Sequence, residues 1–417
     1  MMAMFDRWYA GPLQEKLGRP FVHLLFGARQ TGKSTLLRKL LPEDALVFDL
    51  ADPQERSRLS ARPELFLQAC RALPADGVSQ VVFVDEAQTV PALFDAVQHL
   101  YDADKRRWRF VLCGSSARKL RRTGANLLPG RSFLHRLYPL MLSEHPPVTP
   151  PPKHVASPLP LPWPGGAAPE NPFPAWDLEE RLAYGALPGI VASEARDRAE
   201  LLKAFSYVHL EEEIRRESLV RDWGAFVRFL QLASRESGHI LNYAALSQET
   251  GISQPTVKSY YQLLEDMFVG FRVPAFTKSP RKKLLSTPKF LLFDLGVRHA
   301  AAGLTPSEDV VNANPGPLLE QWVGIELWKR LQYLGDAALS YQRTRDGAEV
   351  DFIVERGGTL TPIEVKWTEN PTASDARHLL TFLREHPRQA RQGYVICRCA
   401  RPLQLHEKIT ALPWHCL

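Results

Sequence analysis

A chain of 417 residues, 45% hydrophobic and 24% charged, is long and apolar enough to bury more than one core, and its length points to two to four domains. Neither residues 1–17 nor any later stretch offers the roughly 18 consecutive apolar residues that cross a bilayer, so membrane classes drop out and a cytoplasmic protein is expected. Five scattered cysteines with no CxxC pair argue against structural zinc or a disulfide framework, and a net charge of +6 favours polyanionic partners without requiring one.

Up to about Ser143, β-like apolar runs alternate with helical stretches: Val22–Phe26, a helix from Lys33, Ala45–Leu50, Val81–Val84, Ala92–Tyr101 and Phe110–Cys113. That alternation predicts an α/β domain over residues 1–145 with a mostly parallel sheet. Inside it, Gly27-Ala-Arg-Gln-Thr-Gly-Lys-Ser34 matches G-x-x-x-x-G-K-[ST] in full, after a strand and before an apolar helix, as a phosphate loop requires. Gly27, Gln30, Thr31, Gly32, Lys33, Ser34 and Thr35 form the expected ATP cradle. The glycines let backbone N–H groups wrap the phosphates, Lys33 reaches the β and γ oxygens, and the Ser34 hydroxyl holds Mg²⁺.

The apolar run Val81–Val84 ends in Asp85-Glu86. Asp85 is expected to orient the Mg²⁺ water shell and Glu86 to polarise the attacking water, which implies hydrolysis rather than passive binding. The plain alternative is an exposed acidic strand end. Phe110–Cys113 leads into Gly114-Ser115-Ser116, where Ser115 is the candidate γ-phosphate sensor. Of the arginines that follow, Arg118, Arg121, Arg122 and Arg131, the last is preferred as a finger reaching a neighbouring subunit's nucleotide, although surface arginines are the commoner fate.

Between Pro146 and Pro174, 12 of 29 residues are proline, so neither helix nor central strand runs through, and residues 146–176 are expected as an insertion or linker. Helical patterning then returns over residues 177–225, including an amphipathic Leu201–Arg216. Within residues 226–295, a short helix from Tyr243 ends at Gly251, and Ser253 caps a second helix: the spacing of a helix-turn-helix. Val257, Tyr261 and Leu264 form its packed side. Gln254, Thr256 and Lys258, with Ser259 and Gln262, point outward as DNA-contact candidates. Lys278, Arg281, Lys282 and Lys283 place four cations in six residues, as a phosphate-contacting wing would. Protein docking is the alternative use of such a module.

In residues 296–417, Gly357-Gly358 predicts a type I′ hairpin that opposes Asp351 to Glu364 and Glu349 to Lys366. These four charges are expected on one face, with Val350, Phe352 and Val365 on the other. Asp351, then Glu364-x-Lys366, resembles the PD-(D/E)xK nuclease core, in which both acids bind Mg²⁺ and the lysine positions water; Glu320 on a preceding helix would complete the set, with Glu326 as substitute. Val350 stands where the motif has proline. The bland reading is a solvated hairpin with a Glu349–Lys366 pair worth less than about 1 kcal/mol.

The phosphate loop, Asp85-Glu-Ala-Gln88, Gly114-Ser-Ser, Leu128-Pro-Gly-Arg131, Leu137-Tyr-Pro-Leu140 and Tyr184-Gly-Ala-Leu-Pro-Gly189 together resemble prokaryotic AAA-type ATPases that carry a C-terminal domain of uncharacterised function. The resemblance implies a P-loop AAA-type domain, a winged helix-turn-helix and a restriction-endonuclease-like α/β domain, and a homo-oligomer of hexameric ring type. The expected function is an ATP-hydrolysing motor that grips or translocates duplex or branched DNA. The alternatives are an ATP-regulated, Mg²⁺-dependent endonuclease and a protein-binding ATPase switch without nucleic acid.

Overall fold

The computed structural model describes residues 5–75, 77, 79–115, 130–149, 169–209, 214–215, 220, 222–277, 286–343 and 347–417. They group into two compact units, one running to Tyr138 and the other from Pro139 onward, with Pro169, Glu170 and Asp266–Phe268 grouped with the first. No helix among the described residues is long and apolar enough to cross a membrane.

In the first unit every expected β-run is a strand: β1 (Val22–Phe26), β2 (Leu46–Asp49), β3 (Gln80–Asp85) and β4 (Trp108–Gly114), joined by β5 (Ser132–Arg136). All pair in parallel, in the order β2-β3-β4-β1-β5. This order places the end of β4 between the strand that feeds the phosphate loop and the strand that ends in Asp85. Helix α1 (Ala10–Leu17) precedes β1, and α2 (Lys33–Leu40), α3 (Pro53–Ala61), α4 (Glu64–Arg71) and α5 (Ala92–Ala103) connect the strands. All five residues of β1 are buried, as a strand covered on both faces demands. Val22, Leu24 and Phe26 enter a core with Phe66, Val82, Val84, Phe94 and Phe110.

His23, alternating with those residues along β1, instead meets a polar network. Its Nδ1 lies 3.2 Å from His135 Nε2, and Nδ1 of His135 lies 3.1 Å from the Tyr9 hydroxyl. Burial holds both rings uncharged: His23 is lowered, and His135 falls to about 3 with the neighbouring His23 adding to the effect. A base whose folded pKa is depressed stabilises the fold above its ordinary pKa near 6.5 and loses that contribution as pH falls toward 3. Unfolding free energy from urea denaturation is therefore expected to drop steadily between pH 6.5 and 4, and His135→Gln to flatten that slope by up to about 1.4 kcal/mol per pH unit. An unchanged slope in the variant would contradict this account.

The second unit begins with α6 (Leu178–Tyr184), α7 (Pro188–Val191) and α8 (Ala195–Ala204), after which Phe205–His209 form a π-helical turn. The helix expected over Leu201–Arg216 thus starts six residues earlier and loses its α-helical pitch after Ala204. Then follow α9 (Trp223–Arg235), α10 (Tyr243–Thr250), α11 (Gln254–Asp266), β6 (Gly270–Val273), β7 (Lys289–Leu292), α12 (Leu295–Ala301), α13 (Glu308–Ala313) and α14 (Pro315–Leu334). The chain ends with β8 (Ala337–Arg343), β9 (Glu349–Arg356), β10 (Thr359–Val365), α15 (Arg377–Glu385), β11 (Gly393–Cys397), β12 (Leu403–His406) and β13 (Ile409–Pro413). Strands β6 and β7 pair antiparallel, and the last six form a mixed sheet ordered β12-β13-β11-β10-β9-β8.

Residues 177–225, 226–295 and 296–417, expected as three bodies, share one core: Leu178 and Leu182 pack with Phe271 and Leu291, and these with Trp322, Phe352 and Ile363. The reason is that β6 and β7 expose apolar side chains to α14, where Phe271 stacks on Trp328 at 4.0 Å. At the proline segment, residues 150–168 lie outside the described residues. Its flanks are hydrogen-bonded to each other, Phe173 N–H to Glu144 O and Trp176 N–H to Pro146 O, and Arg181 donates to the carbonyls of His145, Pro146 and Trp176.

Candidate functional site

The phosphate loop leaves the C-terminal end of β1 at Gly27, where a Cβ would lie 2.2 Å from the carbonyl oxygen of Leu137, so only glycine fits. Gln30 (φ 59°) and Gly32 (φ 86°) then turn the chain through left-handed conformations into α2. Thr31 fastens the turn by donating its hydroxyl to Ala28 O at 2.9 Å, and Lys33 Nζ donates to the carbonyls of Gly27 and Ala28 at 2.9 and 2.8 Å. Thr35 is exposed on the first turn of α2. The seven expected cradle residues therefore occupy one continuous strand-to-helix turn.

Across the sheet edge, the Ser34 hydroxyl donates to Asp85 Oδ1 at 3.0 Å, the same oxygen that accepts the backbone N–H of Glu86 at 3.0 Å. A hydroxyl and a carboxylate so placed are hard oxygen donors that fit Mg²⁺. When bound, the ion would neutralise phosphate charge, and Ser34 and Asp85 are the residues that would hold it. Glu86 sits in the left-handed region (φ 52°), at the start of a 3₁₀ turn over Ala87–Thr89. Its Oε2 accepts from Gln88 Nε2 at 2.6 Å, and the same amide nitrogen donates to Ser115 Oγ at 3.1 Å. Ser34, Asp85, Glu86 and Ser115, picked from separate segments, are thus linked in one hydrogen-bonded chain.

One contributor carries no signal in sequence. Arg7, 24 residues before Thr31, is buried and donates to Thr31 O at 2.6 Å and Tyr138 O at 2.8 Å, which braces the loop from behind. Arg136 ends β5 opposite Phe26, at the same edge as Gly27. Arg131 lies at the other edge, its carbonyl accepting from Val22 N–H at the start of β1 and its side chain paired with Asp102 at 2.6 Å. Arg118, Arg121, Arg122 and Ser116 lie outside the described residues.

In the C-terminal sheet the hairpin forms in the expected register, Thr359 opposite Arg356 through Ile363 opposite Phe352, with both turn glycines at positive φ. Past Phe352 the backbone ladder stops, and the Asp351 carboxylate accepts the Val365 N–H at 2.8 Å instead. On the other side, β8 pairs Gln342 with Val350 but Ser340 with Ile353, so β9 holds one extra residue and bulges at Asp351-Phe352. The bulge corrects one expectation. Val350 does not share a face with Phe352 and Val365, which pack toward α14; it joins Ile353 in the core under α15.

Helix α14 approaches β9 closely at Gly324, where a Cβ would sit 2.6 Å from the Phe352 ring, and Glu320, one turn earlier on the same face, arrives beside the sheet. Its partner there is Lys289, 4% exposed at the start of β7, whose ammonium contacts Glu320 Oε1 at 2.9 Å and Glu349 Oε1 at 2.6 Å. Burial alone would lower the Lys289 pKa, but the two glutamates outweigh it and hold the ammonium above its ordinary value. Lys366 reaches Glu364 at 2.8 Å, and there too the carboxylate outweighs burial and raises the lysine. Asp351 is pushed well above the usual carboxylate range by burial and by the charges of Glu320 and Glu364; burial raises Glu364 as well, against the pull of Lys366.

Glu320, Asp351, Glu364 and Lys366 are therefore close neighbours, but not as ligands of one ion. Glu320 is turned to Lys289, Glu364 to Lys366 and Asp351 to a backbone N–H, and among the described residues no three His, Cys, Asp or Glu side chains converge on a point that could hold a metal. The residues present do not fit the expected Mg²⁺ site, because lysines supply its positive charge. Glu326, the substitute, pairs instead with Lys329 and accepts the Leu142 N–H. Lys289 carries no sequence signal of its own, because a single lysine opening a strand meets these acids only through the packing of β7 against α14 and the hairpin.

Helices α10 and α11 meet at left-handed Gly251, and Ser253 caps the second, as the pattern predicts. Val257, Tyr260, Tyr261, Leu263 and Leu264 are buried, while Gln254, Lys258, Ser259 and Gln262 are exposed and Thr256 is half-buried. Lys258 lies 5.2 Å over the Tyr243 ring, and Gln262 accepts from Arg272. Lys278, Arg281, Lys282 and Lys283 lie outside the described residues.

Residues 19–145 match the family model described as AAA domain, residues 175–308 a domain of unknown function (DUF8612), and residues 315–417 a second domain of unknown function (DUF4143). The chain is similar to uncharacterized protein Rv2008c of Mycobacterium tuberculosis, 27% identical over 369 residues that cover 88% of this chain and 74% of that one. An uncharacterized protein of Haemophilus influenzae is 21% identical over 378 residues, 86% of each chain. Protein VC1899 from Vibrio cholerae, a solved structure 13% identical, covers 92% of this chain and 89% of its own at a TM-score of 0.17, too low to bear on the fold. The matched phosphate loop implies nucleotide binding, usually with Mg²⁺, and the AAA match over residues 19–145 together with the parallel sheet supports an AAA-type ATPase.

Proposed function

We propose that the protein is a cytoplasmic, homo-oligomeric ATPase of ring type that hydrolyses ATP with Mg²⁺ and uses the cycle to grip or move duplex or branched DNA. One observation carries the hydrolytic part: Ser34 on α2, Asp85 at the end of β3, Glu86 and Gln88 at the 3₁₀ turn that follows, and Ser115 just past β4 form a single hydrogen-bonded chain at the edge where the phosphate loop lies. In this reading Lys33 and the loop N–H groups bind the phosphates, Ser115 donates to the terminal phosphate, and Glu86 takes the proton of the attacking water.

The DNA part is supported by the exposed polar side of α11 and the net charge of +6. Exposed Gln254 and Lys258, half-buried Thr256, and the four cations at 278–283 would meet phosphates and base edges, as in a winged helix. The Lys289-filled acidic cluster favours a bracing or binding role for the C-terminal sheet over Mg²⁺-dependent cleavage. ATPase rate measured without DNA and with duplex, single strand and a four-way junction tests the proposal. Stimulation by at least one form, fading as salt rises, is expected. A rate indifferent to every form, with no salt-sensitive retention on DNA, would overturn the DNA reading and favour a protein-binding switch.

A further inference from the structure

Gln88 is 7% exposed and lies on the 3₁₀ turn that folds back from the end of β3. Its amide nitrogen donates to Glu86 Oε2 at 2.6 Å and to Ser115 Oγ at 3.1 Å, while its carbonyl oxygen is buried without a hydrogen-bond partner among the described residues. Chemistry fixes which way round the amide sits. An ionised carboxylate only accepts, so the NH₂ group must face Glu86, and the second N–H then falls to Ser115. The carbonyl then lies over Gly114, where a Cβ would stand 2.3 Å from Gln88 Oε1.

Because Ser115 accepts from Gln88, its own hydroxyl proton is left to donate elsewhere, and the terminal phosphate is the acceptor that the ATPase reading supplies. We infer that Gln88 is a positioning residue that couples Ser115 at the end of β4 to the Glu86 carboxylate, so that what Ser115 donates to sets how Glu86 is held. This inference rests on the ATPase reading above. Gln88 touches neither nucleotide nor water in this scheme. It acts through Glu86, and its two N–H groups allow one side chain to hold both partners at once.

The test uses the full chain with Gln88→Ala, Ser115→Ala, the double variant and Gln88→Glu, measuring affinity for a fluorescent ATP analogue and kcat separately. Gln88→Ala is expected to keep nucleotide affinity within about threefold while kcat falls at least about tenfold, as loss of a turnover-specific interaction does. If the two residues act as one unit, the double variant should be no more than about threefold worse than the poorer single variant. Gln88→Glu has nearly the same shape but no N–H, and it sets a carboxylate against Glu86, which costs some stability; it should lose turnover at least as severely while still folded at the assay temperature, and it decides the matter if Gln88→Ala does not fold. Effects that multiply in the double variant, or a kcat within twofold for Gln88→Glu, would overturn the coupling while leaving the ATPase reading intact. Absence of turnover in the unaltered protein would overturn both.

Discussion

Replacing Glu86 with glutamine is expected to leave ATP binding nearly unchanged and to cut turnover by about two to four orders of magnitude, the range that a lost general base produces. The substitution keeps the length of the side chain and its capacity to accept from Gln88, so the loop and the Ser34–Asp85 contact should survive. What is lost is the ability to take a proton from water. Lys33→Ala should behave differently, because the loop then lacks the cation that meets the phosphates, and binding itself should fail. Analogue titration and phosphate-release rates on the two variants separate the cases, and normal hydrolysis by Glu86→Gln would remove Glu86 from the role of base.

The second large effect is expected at Lys289. Its ammonium is nearly buried between Glu320 and Glu349, with Asp351 and Glu364 close by, so Lys289→Met would leave a nest of acids without its central cation. Removing one partner from a buried pair costs about 3–5 kcal/mol, and a loss near the lower end, about 3 kcal/mol, is expected because the two glutamate side chains retain 27% and 30% exposure. The loss should shrink as pH falls, since protonating the acids relieves their repulsion. Lys289→Met combined with Glu320→Gln should recover part of the stability, because the uncompensated charge is removed with its partner. Urea denaturation midpoints of the two variants at pH 7.5 and 5 provide the check. A neutral Lys289→Met would mean that the lysine does not brace this cluster.

The nucleotide site was legible because its chemistry is written in local order: a glycine-rich turn must sit between a strand and a helix, and an acid that helps hold Mg²⁺ must end an apolar strand. Periodicity of two and 3.6 residues located β1 to β4 and the α10–α11 pair for the same local reason. The hairpin register followed from Gly357-Gly358 alone, since a two-residue turn leaves the strands no choice. The bulge at Asp351-Phe352 did not follow, because it arises from pairing with β8, which a hairpin pattern does not contain.

The sequence by itself therefore determined the phosphate loop, the acidic strand end, the helix-turn-helix and the hairpin, each of which depends on residues a few positions apart. Only the tertiary structure decided which distant groups meet. Arg7 reaches the loop from the N-terminal segment, Gln88 joins Glu86 to Ser115 because β4 lies beside β3, and Lys289 fills the acidic cluster because β7 packs against α14 and the hairpin. Those meetings are set by strand order and by the burial of apolar faces, and no spacing along the chain encodes them.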